Sequence, residues 1–372
     1  MSSRRSLLSP RERVQLSLRG ELADRVPFTV YWLMLPRGAA ERALRNEGAT
    51  IVERVPLFRV SYSGVEVVTR EYEENGELFL RRELRNGSGS VHATFRRESG
   101  YGTSWWQLDY YVKKPADYDI LEQCLRERAY IPDYTAFITA QRRYGEDGYV
   151  VGNTEYSPMN LLLYEYLGME RFCLDLADRP ERIERLFEIL REKQRRMFEI
   201  CAESPAELVL YDGNISQEVV GAERFRRYYR PCHDEFAARL HQKGKLAGCH
   251  LDARMAGLAK TVGESQLDVI EAFTPVPTCD MTVAEARQAW PDKVLWINFP
   301  SSVHLEGEER IQTELRRILR EAVPGDRFLV GITEDVPEEV WQSNLRIINT
   351  GLRRWGALPL EEESLDGSET FV

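Results

Sequence analysis

From about residue 115 onward the chain alternates short apolar strands with helical stretches, and this rhythm constrains the fold more than any other feature. The predicted strands are Tyr149–Asn153, Glu207–Asp212, Lys245–His250, Asp268–Phe273, Val294–Phe299 and Phe328–Ile332. Helical stretches fall between and after them at Pro180–Glu203, Ala222–Gln242, Val283–Ala289, Glu308–Glu321 and Glu338–Trp355. A strand, a crossover helix and another strand make a parallel β/α unit. Two further strands precede this region, one over Val26–Leu33, which stops at Pro36 and Gly38, and one near Val55–Val60. Together they make eight, the number that closes a (β/α)8 TIM barrel, and on this count an open doubly wound sheet is the alternative.

The rest of the chain fits around that repeat. Ser9-Pro10-Arg11-Glu12 puts a hydroxyl at the N-cap, a proline at the first helical position and a glutamate two residues later, so a helix starts there and ends at Gly20. A second helix is predicted over Ala39–Asn46. Apolar residues then alternate through Val65–Tyr72, Leu78–Leu84 and Val91–Arg97, with Asn75-Gly76 and Asn86-Gly87 between the runs. Asn-Gly is a strong hairpin signal, so an antiparallel β-meander is inserted in the barrel at about 65–112. The expectation is one domain over residues 1–372, with a loose acidic tail at 361–372.

Composition narrows the class of protein. The chain has 372 residues, of which 43% are hydrophobic, enough for a substantial core. A net charge of −10 gives no overall positive field for nucleic acid. Cys124, Cys173, Cys201, Cys232, Cys249 and Cys279 are scattered with no Cys-x-x-Cys, the usage of buried reduced thiols. The N-terminus has only Leu7 and Leu8 as an apolar run, and no stretch approaches the roughly 18 apolar residues of a membrane span. A soluble cytoplasmic protein that binds neither nucleic acid nor membrane is expected.

No phosphate loop, dinucleotide-binding glycine motif, nucleophile elbow or His-Glu-x-x-His is present. Attention therefore goes to the C-terminal ends of the strands, where barrel enzymes place their chemistry. The polar residues there are Arg37, Glu155, Tyr156, Asp212, Asn214, His250, Asp252, Glu271, Asn298 and Glu334. Each is also a candidate helix cap. His250 and Asp252 are two apart, which in a strand points both to one side and Cys249 to the other. That pair can orient an imidazole for acid–base work or ligate a metal. Trp105-Trp106 and Tyr110-Tyr111 form an aromatic cluster better suited to packing than to ligand stacking.

Several segments resemble the uroporphyrinogen decarboxylase superfamily: Ser9-Pro10-Arg11-Glu12, Tyr156-Ser157-Pro158, Gly168-Met169-Glu170, Gly248-Cys249-His250, Gly331-Ile332-Thr333-Glu334-Asp335 and Trp355-Gly356-Ala357-Leu358-Pro359. The resemblance spans nearly the whole chain and implies one (β/α)8 barrel. That superfamily holds haem-pathway decarboxylases and methyltransferases that act on corrinoid proteins, and fold does not decide between them. The decarboxylases carry an arginine-rich first loop, an aspartate after the second strand and a Gly-His-Gly near the last. Here the first loop has Arg37 alone, a meander follows the second strand, and the last strand ends in Glu334-Asp335 without histidine.

The corrinoid-dependent branch is the closer likeness, in part because its members carry extra β-structure between the second and third strands. Its zinc-using members have His-x-Cys after the fifth strand and a cysteine near the eighth. The corresponding residues here are His250, Asp252 and Glu334, one nitrogen and two oxygen donors, which form the metal set if zinc is used. Zinc-free relatives hold a methyl carrier by hydrogen bonds, a role that suits Asp212 and Asn214.

The expectation is a methyltransferase moving a methyl group between a small carrier and the corrinoid of a partner protein. His250, Asp252 and Asp212 are its candidate catalytic groups, and Arg37, Glu155, Tyr156, Asn214, Glu271, Asn298 and Glu334 its candidate binding groups. A decarboxylase of another carboxylated substrate is the alternative, followed by a barrel that binds a small molecule without catalysis. The resemblance also suggests a homodimer.

Overall fold

A computed structural model describes residues 8–98 and 105–365. In chain order its strands are β1 (Phe28–Tyr31), β2 (Thr50–Pro56), β3 (Phe58–Tyr62), β4 (Glu66–Glu74), β5 (Glu77–Asn86), β6 (Gly89–Arg97), β7 (Trp105–Gln107), β8 (Arg128–Pro132), β9 (Gly148–Asn153), β10 (Leu208–Leu210), β11 (Leu246–His250), β12 (Val269–Phe273), β13 (Val294–Asn298) and β14 (Phe328–Ile332). Eight of them close a parallel barrel in the order β1-β14-β13-β12-β11-β10-β9-β2. Closure leaves no edge strand, and the helices cover the outer face.

Side chains alternate between the two faces of each barrel strand. One set, including Val52, Tyr149, Val151, Leu208, Leu210, Val269, Val294, Trp296 and Leu329, fills the lumen, and Tyr31 packs against it. Val14 and Leu18 join that cluster from the helix Pro10–Leu18, which is held at its start by the reciprocal Ser9–Glu12 capping box. The helix thus plugs one end of the lumen. Trp296 donates its indole N–H to Thr29 Oγ1 at 2.8 Å. Beside it a Cβ on Gly331 would lie 3.0 Å from both atoms of that bond, so the indole fits only because position 331 is glycine.

The opposite set of strand residues packs under the helices. Pro180–Glu203, Val283–Ala289 and Glu308–Glu321 have the expected boundaries, and the last helix starts at Trp341, three residues later than its pattern predicts.

Two expectations about the early strands need correction. The second barrel strand is Thr50–Pro56, not Val55–Val60. The chain leaves the barrel wall after Pro56, and Phe58–Tyr62 pairs antiparallel with β8 instead. The insertion is also larger than a three-stranded meander, because Trp105–Gln107 adds a fourth strand to the sheet β4-β5-β6-β7. Asn75 and Gly76 take φ of 53° and 80°, the left-handed pair that a tight hairpin requires. Leu84, Val91 and Ala93 on one face of this sheet are buried with Leu121 and Leu125 of the helix Asp117–Arg126.

The acidic tail is not wholly loose either. Glu362–Leu365 forms a short helical turn with Leu365 buried, while 366–372 lie outside the described residues, as do Leu7 and the residues before it. Among the cysteines, Cys124, Cys201, Cys232 and Cys249 are buried, but Cys173 is exposed and Cys279 half-buried. The described residues contain no helix long and apolar enough to cross a membrane.

Candidate active site

His250 ends β11 with its imidazole at the C-terminal end of the lumen, while Cys249 points outward and is fully buried under the helices. Both ring nitrogens meet carboxylates. Nδ1 lies 2.6 Å from Glu271 Oε2, and Nε2 lies 3.3 Å from Asp252 Oδ2. Glu271, on β12, is 1% exposed, so its charge needs partners. His250 supplies one, and the Tyr31 hydroxyl donates to its other oxygen. Arg54 completes the group by donating from Nε and Nη2 to Asn153 Oδ1, at 3.0 and 2.7 Å, and its guanidinium carbon stands 5.9 Å from the Tyr31 ring centre. Arg54 Nη1 also comes within 3.3 Å of His250 Nδ1. Arginine can only donate, so with Nδ1–H given to Glu271 this is a close approach of two cations and not a hydrogen bond.

These contacts set the charge states. Burial disfavours the imidazolium, but the Glu271 charge and the hydrogen bonds to Asp252 and Glu271 outweigh burial and the opposing Arg54, raising His250 to about 9. Burial likewise works against the Glu271 and Asp252 carboxylates. His250 and Arg54, helped at Glu271 by Tyr31, nevertheless hold both below their usual range. The Tyr31 phenol is raised well above its usual value by burial and by the Glu271 charge, so it stays a donor. At neutral pH the group comprises an imidazolium between two carboxylates, with a guanidinium behind it.

The backbone departs from regular strand next to this group. The register of β12 on β13 slips between Glu271 and Phe273, and the intervening Ala272 has φ of 59°. A non-glycine residue in the left-handed region is strained by roughly 1–2 kcal/mol, and bulges of this kind re-aim side chains next to functional sites. Here the bulge follows Glu271 directly.

The other strand-end residues are arranged differently. Asp212 has φ of 72°, which carries its carboxylate away from the lumen. Its Oδ1 accepts from the Ser157 backbone N–H at 3.0 Å and from Asn160 Nδ2 at 2.9 Å, and its Oδ2 lies 3.3 Å from His233 Nε2, with both side chains fully buried. Asp212 therefore touches His233 and not His250, although the adjoining Gly213 packs against His250. Glu155 is also turned inward, onto Arg128, Tyr130 and Gln194. Tyr156 and Asn214 bond each other, Asn214 Nδ2 to the Tyr156 hydroxyl at 2.5 Å, and Asn214 is exposed. Asn298 ties two strand ends together by accepting from the Thr333 N–H at 2.9 Å. Glu334 accepts from the Ser301 hydroxyl. Arg37 is not at the mouth; it lines a cleft outside the barrel.

The donors do not suit a zinc ion. Both His250 nitrogens are turned to carboxylates, Glu334 is held by Ser301, and among the described residues no three His, Cys, Asp or Glu side chains are placed to share a metal. Cys279 stands near this region, its thiol donating to the Asp252 carbonyl at 3.3 Å. Burial and the charges of Glu334, Asp280 and Asp252 push it up to about 11, away from the thiolate a metal needs.

Tyr31, Arg54 and Asn153 belong to the site but are not among the candidates that strand ends mark in the sequence. Alternation was the available signal. Arg54 lies two residues after lumen-facing Val52, and Asn153 two after Val151. A second strand at Val55–Val60 leaves Arg54 outside it, whereas the observed strand Thr50–Pro56 contains it.

The uroporphyrinogen decarboxylase (URO-D) family profile matches residues 107–349, and the chain belongs to that family. Among solved structures, a methyltransferase from Methanosarcina mazei superposes with a TM-score of 0.56 at 11% identity, covering 93% of this chain and 98% of that one. At that identity the likeness concerns the fold. A pneumococcal exo-β-D-N-acetylglucosaminidase, StrH, gives a TM-score of 0.38 at 8% identity over 90% of this chain and 86% of that one, too low to bear on the argument. A comparison with curated protein sequences finds no match.

Proposed function

We propose that this member of the URO-D family is a methyltransferase that passes a methyl group between a small carrier and a separate corrinoid-bearing protein. The observation that carries the reading is His250 set between Glu271 and Asp252 at the lumen end, a protonated imidazole at neutral pH. A heteroatom that gives up a methyl group needs a proton, and a positioned acid supplies it. Cleaving carboxylates from a polyacid calls instead for several converging cations. In the hydrogen-bonded group around His250 and Glu271, Arg54 is the single arginine among the described residues, and Arg37 lies elsewhere. The Methanosarcina mazei protein that shares this fold is itself a methyltransferase, so the barrel is compatible with this chemistry.

The corrinoid, presented by its partner, would supply the cobalt nucleophile that accepts the methyl group. His250 would hold a proton at Nε2 and release it to the carrier heteroatom. Glu271 keeps the ring charged and fixes the proton on Nδ1, Tyr31 holds Glu271 in place through its hydroxyl, and Arg54, anchored on Asn153, adds positive charge that favours the Glu271 carboxylate. Tyr156 and Asn214 would line the path of the carrier. Leu33 and Leu305, in the segments that follow β1 and β13 on either side of β14, are exposed and would be accessible to a protein partner.

Anaerobic incubation with cob(I)alamin and a panel of methylated thiols, amines, aromatic ethers and pterins tests the reading. Methylcobalamin formation with at least one donor, falling about 100-fold in His250→Ala, is expected. No methylation from any donor, alongside release of carbon dioxide from uroporphyrinogen, would favour the decarboxylase instead.

A further inference from the structure

Outside the barrel, the helices Ala39–Asn46 and Thr135–Tyr144 border a cleft of about 470 Å3 whose apolar lining includes Leu35 and Ile51. Ile51 is on the outer face of β2, so the strand itself separates this cleft from Val52 and Arg54 in the lumen. Arg37, Arg42, Arg45 and Arg143 line it against one acid, Glu41. Two of these arginines are compensated. Arg45 lies 2.6 Å from Glu41 and 3.3 Å from Asp147, and Arg143 lies 3.5 Å from Glu53 with its guanidinium carbon 5.5 Å from the Tyr144 ring centre. The side chains of Arg37 and Arg42 have no hydrogen-bond or ion-pair partner among the described residues. Trp32, 37% exposed, contributes an aromatic surface to the same cleft.

The cleft thus combines the volume of a small-ligand site, an aromatic wall, two arginines fixed by acids and two left uncompensated, in a chain whose net charge is −10. The planar guanidinium fork matches phosphate and carboxylate oxygens. We infer that this cleft binds a small ring-bearing anion through a phosphate or paired carboxylates, anchored by Arg37 and Arg42 with the ring against Trp32. The site is separate from the barrel mouth and does not rest on the methyl-transfer reading.

Isothermal titration with phenyl phosphate and with phthalate at low ionic strength tests it, and the tighter of the two names the anionic group. Saturable binding of at least one probe is expected, weakened tenfold or more in the Arg37→Ala/Arg42→Ala double variant. It should be unchanged in Arg70→Ala, which alters a distant arginine on β4. Both anchoring arginines are exposed, so the double variant should keep the wild-type melting temperature. Trp32→Ala should weaken phenyl phosphate more than inorganic phosphate. Absence of saturable binding by either probe, or equal binding by the double variant, would overturn the inference.

Discussion

Nδ1 of His250 lies 2.6 Å from Oε2 of Glu271, a carboxylate on the neighbouring barrel strand that is almost wholly buried. Neither partner is well placed without the other. A lone carboxylate at that depth carries a desolvation cost of several kcal/mol, and without the Glu271 charge burial would weigh more heavily against the imidazolium. The pair therefore makes a charged proton donor stable in the lumen of the barrel.

The first consequence concerns titration. His250 should titrate near 9 by NMR, above its ordinary value of 6.5. Because the folded value is the higher one, the stability it contributes is complete below about pH 6.5 and is lost as pH rises through 9. Replacing Glu271 with Gln should lower the His250 pKa by more than about one unit, and Asp252→Asn should lower it less, because the carboxylate it removes stands 3.3 Å from the ring and not 2.6 Å. An unchanged titration in Glu271→Gln would remove that residue as the partner.

Tyr31→Phe keeps the ring near Arg54 but leaves one oxygen of Glu271 without its donor. A buried acceptor stripped of its partner costs about 1–3 kcal/mol, so chemical denaturation should show a loss in that range. Turnover should fall through kcat more than KM, since Tyr31 acts through Glu271.

Asp212 contacts a different set of groups from His250. With both oxygens engaged inside the helix layer, Asp212→Asn should destabilise the protein by about 1–3 kcal/mol while leaving the position of any pH–rate limb where it was. A shifted limb would place Asp212 in the proton chemistry.

The strain at Ala272 is testable through branching at Cβ. Ala272→Val adds volume at a fully buried residue and is poorly tolerated at φ of 59°, so a loss of about 2 kcal/mol or more is expected, whereas Ala272→Gly should stay within about 1 kcal/mol of wild type. Equal stability of the two variants would show that the bulge relaxes freely.

Much of this was legible in the sequence because the barrel repeats one pattern. Buried parallel strands such as Phe328–Ile332 are continuous apolar runs, and helices such as Glu308–Glu321 are bounded by glycine and charge, so both stand out. His250 and Asp252 stand out because β11 ends at His250, and Glu271 because it is the one charged residue inside the apolar strand Val269–Phe273. The failures follow from local context. Thr50–Pro56 carries Glu53 and Arg54, which reads as a surface segment until closure of the barrel turns Arg54 inward. Asp212 kept its place at a strand end but not its direction, since a left-handed backbone residue turns its side chain out of the lumen and periodicity cannot foresee that. Arg37 follows β1 as expected, yet the chain after Met34 turns outward and takes it to the outer cleft.

The central claim is that His250, charged by Glu271, gives up the proton in methyl transfer, and the pH dependence of methylcobalamin formation with an active donor tests it most directly. In the wild type the rate should hold through neutral pH and fall as pH rises through about 9, and in Glu271→Gln that fall should move to lower pH, in step with the His250 titration measured by NMR. A rate that keeps the same pH profile in Glu271→Gln, or survives His250→Ala undiminished, would contradict the account.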